Sequence, residues 1–88
     1  MDLMLATSKA GHDSKQVYVV MKEEGDYFLL VNGTTKPMSK PKKKKKIHLQ
    51  LIKNIPSTVL EEIKDKNELD DVLIKRILKV YNRRNEDV

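Results

Sequence analysis

The stretch Val17-Tyr18-Val19-Val20-Met21-Lys22-Glu23-Glu24-Gly25-Asp26-Tyr27-Phe28-Leu29-Leu30-Val31-Asn32-Gly33 decides the fold class. Both of its apolar runs are β-branched and aromatic, the composition of strands. Between them, Glu23-Glu24-Gly25-Asp26 predicts a tight turn. Asn32-Gly33 is the strongest short hairpin signal, because both residues accept the positive φ of a type I′ turn. A meander is therefore expected, with Thr34-Thr35-Lys36 as a short return strand ended by Pro37, whose missing N–H suits an edge.

Working outward, Leu3 to Lys9 predicts a first strand, and Ala10 to Lys15 a loop built on Gly11 and short polar side chains. On the other side, Ile47, Leu49 and Leu51 alternate with His48 and Gln50, the pattern of a half-buried strand. Five short strands within the first ~52 residues are too few for a sandwich and predict a small, partly open barrel. The composition changes at Asn54. Pro56 is placed for a first helical turn, and Thr58 with Glu61 has capping-box spacing ahead of Val59, Leu60 and Ile63. Asn67 can cap a second helix in which Leu69, Val72, Leu73, Ile77, Val80 and Tyr81 form a stripe widened by Ile74 and Leu78. Its acids Glu68, Asp70 and Asp71 start it and Arg83 and Arg84 end it, as the helix dipole favours. The expected organisation is a barrel over residues 1–54 and a helical segment over 55–88 packed on it. The fold class is mostly β with an α tail.

With 88 residues the chain makes one small domain with a thin core and little room for an enclosed active site. Its net charge of +5 is unevenly placed: residues 1–54 carry 11 lysines against five acids, and residues 55–88 carry seven basic residues against eight acids. Most of that excess lies in Lys40-Pro41-Lys42-Lys43-Lys44-Lys45-Lys46, between a proline-punctuated loop and the Ile47 strand. A cationic run held on a rigid element is a candidate anion-binding surface, for nucleic acid first and an anionic membrane surface second. A solvated linker or a targeting signal gives the same pattern. With 15 lysines to three arginines and no Trp, the chain is equipped for backbone phosphate contact rather than base readout.

The stretches Ser8-Lys9-Ala10-Gly11-His12-Asp13, Val17 to Val20, and Lys40-Pro41-Lys42-Lys43-Lys44 with Ile47-His48-Leu49 resemble the small bacterial KOW-domain RNA-binding proteins. These are in turn similar to KOW-containing large-subunit ribosomal proteins. The resemblance covers roughly residues 2 to 52. It implies an SH3-like five-stranded barrel followed by one or two helices, with loops that bind RNA or ribosomal protein, and some relatives dock on RNA polymerase. By residue, it implies that the loop around Gly11 faces RNA with Lys9, His12 and Lys15 beside it, and that Lys40, Lys42, Lys43, Lys44, Lys45, Lys46 and His48 form a second basic element. The chain departs from the family at His12, where a basic residue is usual, and near Lys15, where a second glycine is usual. That shifts the weight towards the lysine run.

The reading is a non-catalytic module that binds structured, ribosomal RNA through a lysine-rich loop and serves ribosome function or translation. The alternative is an adaptor that docks on a ribosomal protein or RNA polymerase through the amphipathic helix around Leu69, Leu73 and Ile77. A nuclear localisation signal at Pro41 and the lysines is a third reading. No catalytic residue, metal ligand set or cofactor is called for: two separated histidines lack metal spacing, and the adjacent acids do not face one another on a helix. With no Cys, no signal-like N-terminus and no apolar span, a soluble, cytoplasmic, monomeric protein without membrane contact is expected.

Overall fold

A computed structural model describes residues 1–9 and 16–86, with side chains described through Arg83. Five strands and two α-helices follow in the order β1 (Leu5–Ser8), β2 (Val17–Glu24), β3 (Tyr27–Val31), β4 (Lys42–Lys45), a 3₁₀ turn (Lys46–His48), β5 (Leu49–Leu51), α1 (Ser57–Ile63) and α2 (Asp71–Glu86). All strand pairings are antiparallel, in one open sheet ordered β4-β3-β2-β1-β5.

The apolar runs of β2 and β3 do not alternate because both faces of the sheet are covered, which removes the need for a polar side. One face carries Leu5, Val19 and Val31, packed against Val59 and Ile63 of α1 and Leu73, Ile74, Ile77 and Leu78 of α2. The other gathers Ala6, Tyr18, Phe28, Leu30 and Leu49. Val20 and Met21 follow the alternation of the strand, to the inner cluster and the helix side, and the register shift between Val20 and Lys22 then sets Lys22 opposite Leu29.

β4 and β5 lie at opposite edges, yet only Lys46 to His48 separate them. In a flat five-stranded sheet the edge strands would stand ~19 Å apart. The step from Lys45 to Leu49 spans at most ~14 Å even if fully extended. The sheet therefore curls, and its edges approach each other around the inner cluster. Lys44 of β4 donates across this gap from Nζ to the Ser8 hydroxyl oxygen of β1 at 2.5 Å.

Several expectations are corrected. Thr34-Thr35-Lys36 is not a strand, because Asn32 closes the loop on itself: its Oδ1 accepts from the amides of Thr34 at 2.9 Å and Lys36 at 2.8 Å. The donors that a return strand would give to β3 are thereby used. Only Gly33 of the pair takes the left-handed conformation, at φ +81°. The outer edge of β3 pairs instead with the lysine run, which is strand rather than loop. Ile47 and His48 belong to the 3₁₀ turn that carries the chain between edges, so Ile47 is 70% exposed and Leu51 41% exposed, and only Leu49 of the predicted stripe is buried.

The helices differ in detail as well. Pro56 precedes α1 rather than starting it, no side chain among the described residues caps that helix, and Leu60 is exposed. Asp70, not Asn67, caps α2, its Oδ1 accepting from the Leu73 amide at 2.7 Å. Val72 falls on the solvent side, 74% exposed. Asp71 accepts from the Met38 amide at 2.9 Å and ties the start of α2 to the loop that precedes β4.

Candidate nucleic-acid interface

An extended chain sends alternate side chains to opposite faces, and this divides the lysine run. Lys44 pairs with Phe28 and Lys42 with Leu30, so both lie over the inner cluster. Their stems, with that of Lys46, cover the small aromatic core while their charged ends reach its rim, the usual behaviour of a long cationic side chain on apolar surface. Lys42 Nζ stands 5.6 Å from the Tyr18 ring centroid, and Lys46 Nζ 5.1 Å from that of Phe28. Lys46 is also paired with Glu23. Three lysines of the run thus complete the fold on its inner side.

Lys43 and Lys45 pair with Leu29 and Tyr27 and project to the opposite face. Both are exposed. Lys43 Nζ lies 4.8 Å from the Tyr27 centroid and 3.8 Å from Glu24, an exposed ion pair of the kind worth at most about 1 kcal/mol. Lys45 makes no ion pair among the described residues. Lys40 is exposed at a turn closed by its amide on the Pro37 carbonyl at 2.9 Å. Lysines on an edge strand also discourage pairing with another chain, so this placement has a protective role in its own right.

The β1–β5 pairing joins two of the predicted site stretches. The Lys9 amide donates to the His48 carbonyl at 3.0 Å, and both residues are exposed. Lys9 follows Leu5 and Thr7 on the helix-bearing face, the face to which β3 and β4 register also assigns Lys43 and Lys45. The structure therefore brings Lys9 to His48, with both side chains exposed. Gly11, His12 and Lys15 lie outside the described residues.

Beside His48, an open groove of about 1030 Å³ runs along β5 to the end of α2, lined by residues that include Lys9, Gln50, Lys53, Asn54 and Tyr81. Of these, only Lys9 was marked by the sequence. Gln50 stands out only as a polar partner in an alternating run, and the approach of Tyr81 to β5 depends on helix docking.

Among the described residues, no cluster of His, Asp and Glu is arranged to hold a metal ion. No described helix is long and apolar enough to cross a membrane. No protein-family model matches the chain, and no curated protein matches it.

Proposed function

We propose that this chain is a non-catalytic RNA-binding module of the SH3-like, KOW kind that uses its outward cations, Lys9, Lys40, Lys43 and Lys45 with His48, to hold the phosphate backbone of structured RNA. The observation that carries this reading is the division of the lysine run. Two of its members are held outward on a paired strand, where point charges meet phosphates without first ordering a loop. The order β4-β3-β2-β1-β5, with a 3₁₀ turn between the edge strands, supports the SH3-like assignment. Ribosomal RNA is the favoured target, translation the favoured setting and the cytoplasm the favoured compartment, with the monomer as the working form. The adaptor reading draws less support, because Leu73 and Ile77 of the helix face it needs are buried against the sheet.

Four outward lysines on phosphates give a salt dependence with log–log slope of about −2.8 to −3.6, between single- and double-strand behaviour. The test is fluorescence anisotropy with a ribosomal RNA hairpin and a DNA duplex of equal charge in approximately physiological salt. RNA bound more tightly than DNA under those conditions supports the reading. Equal affinities, or no binding to either, would sink it.

A further inference from the structure

The groove beside β5 has a different chemistry from the lysine strand. Gln50 and Asn54 supply carboxamides, each with a donor and an acceptor; Tyr81 supplies a half-buried aromatic ring; and Lys9 and Lys53 supply exposed cations. Among the described residues, no acidic side chain lines it. The strand beside it contributes backbone groups too. Lys9 pairs with His48 and Ile52 with Leu5 through backbone bonds, so antiparallel alternation aims the N–H and C=O of Leu51 away from β1, towards the open edge.

This set suits a ligand with a negative backbone, a flat face and a polar edge. In duplex RNA the base faces are hidden by stacking and the major-groove edges lie too deep for side chains, whereas unpaired bases can stack on an aromatic ring and bond along their edges. An acidic peptide in extended form would use the cations, the strand edge and the carboxamides but would offer Tyr81 no flat face to stack on.

We propose that the groove lined by Gln50, Lys53, Asn54 and Tyr81 is a subsite for unpaired nucleotides of RNA. The chain then grips a loop or single-stranded extension next to the helix whose phosphates meet Lys43 and Lys45. This proposal rests on the RNA-binding reading and adds a preference that phosphate contacts alone do not give.

The test is an amide and side-chain NMR titration of the full chain with an unpaired RNA hexamer, an RNA duplex without overhangs and a hexaglutamate peptide, repeated with Gln50→Ala and Tyr81→Leu. The expected result is hexamer-induced shifts at Gln50, Asn54 and Tyr81, with hexamer affinity lowered on the order of tenfold by Tyr81→Leu. Gln50→Ala, an exposed change, should lower it as well with the fold intact, and duplex affinity should be unchanged by either variant. Hexamer binding that is indifferent to Gln50→Ala would overturn the subsite, as would groove shifts produced by hexaglutamate alone. Duplex binding without hexamer binding removes the subsite and leaves the RNA-binding reading standing. Binding of neither RNA removes both.

Discussion

Replacing Gly33 with alanine should cost the fold far more than the same change at Gly25, although both glycines occupy the left-handed region, at φ +81° and +56°. A left-handed backbone costs a residue with a Cβ about 1–2 kcal/mol, and both substitutions carry that term. Beyond it the two sites diverge. A Cβ at Gly25 meets nothing within 4 Å, whereas one at Gly33 would stand 2.6 Å from the Asp71 carbonyl oxygen, 2.7 Å from Lys75 Cγ and 3.1 Å from the Lys75 amide. The lysine stem can swing away, but the helix backbone cannot without lifting α2 from the loop. Overpacking of that kind costs about 1–3 kcal/mol. The expected total is about 3 kcal/mol at Gly33 against about 1 at Gly25. For a domain of this size that corresponds to losses of roughly 12–24 °C and 4–8 °C in Tm. Thermal and urea unfolding followed by circular dichroism reads both. Equal losses at the two positions would refute the close approach of α2 to the Asn32–Gly33 loop, and with it the helix placement that sets Tyr81 beside β5.

Two further outcomes follow from the same packing. Asp70→Ala removes the cap of α2 and should lower urea-derived stability by about 1 kcal/mol, while Asn67→Ala stays within about 0.5; the reverse ranking would move the helix start. Lys44→Met keeps the stem over the inner cluster but takes a charged donor from the buried Ser8 hydroxyl, so a loss of about 1–2 kcal/mol is expected. Lys45→Met should stay within about 0.5 kcal/mol by the same urea assay, and matching effects would contradict the division of the run into inner and outer members.

Much of the architecture was legible where local preference and tertiary demand agree. β3 runs from Tyr27 to Val31 as its composition predicts, and α2 carries the expected stripe through Leu73, Ile74, Ile77 and Leu78. The misreadings share a cause. Asn32-Gly33 has hairpin chemistry, but the same Asn side chain also satisfies a self-closed loop, and only the need of α2 for a close approach at Gly33 distinguishes the two. Five lysines carry no strand propensity, so β4 forms because β3 has an open edge and because Tyr18 and Phe28 accept lysine stems. Ile47 reads as core by alternation, yet the chain must turn there to pass from one edge of the curled sheet to the other. The candidate site was legible as a set of cations and not as a surface. Lys9 and His48 are 39 positions apart in sequence, and it is the β1–β5 register that makes them neighbours.

The most direct test of phosphate recognition by the outward cations is the salt dependence of affinity for a ribosomal RNA hairpin, measured for the native chain and for Lys9→Gln/Lys43→Gln/Lys45→Gln. Loss of three phosphate contacts should make the log–log slope shallower by about 2.1–2.7 and weaken binding most at low salt. An unchanged slope in a variant that remains folded would show that these lysines do not touch the RNA and would contradict the account.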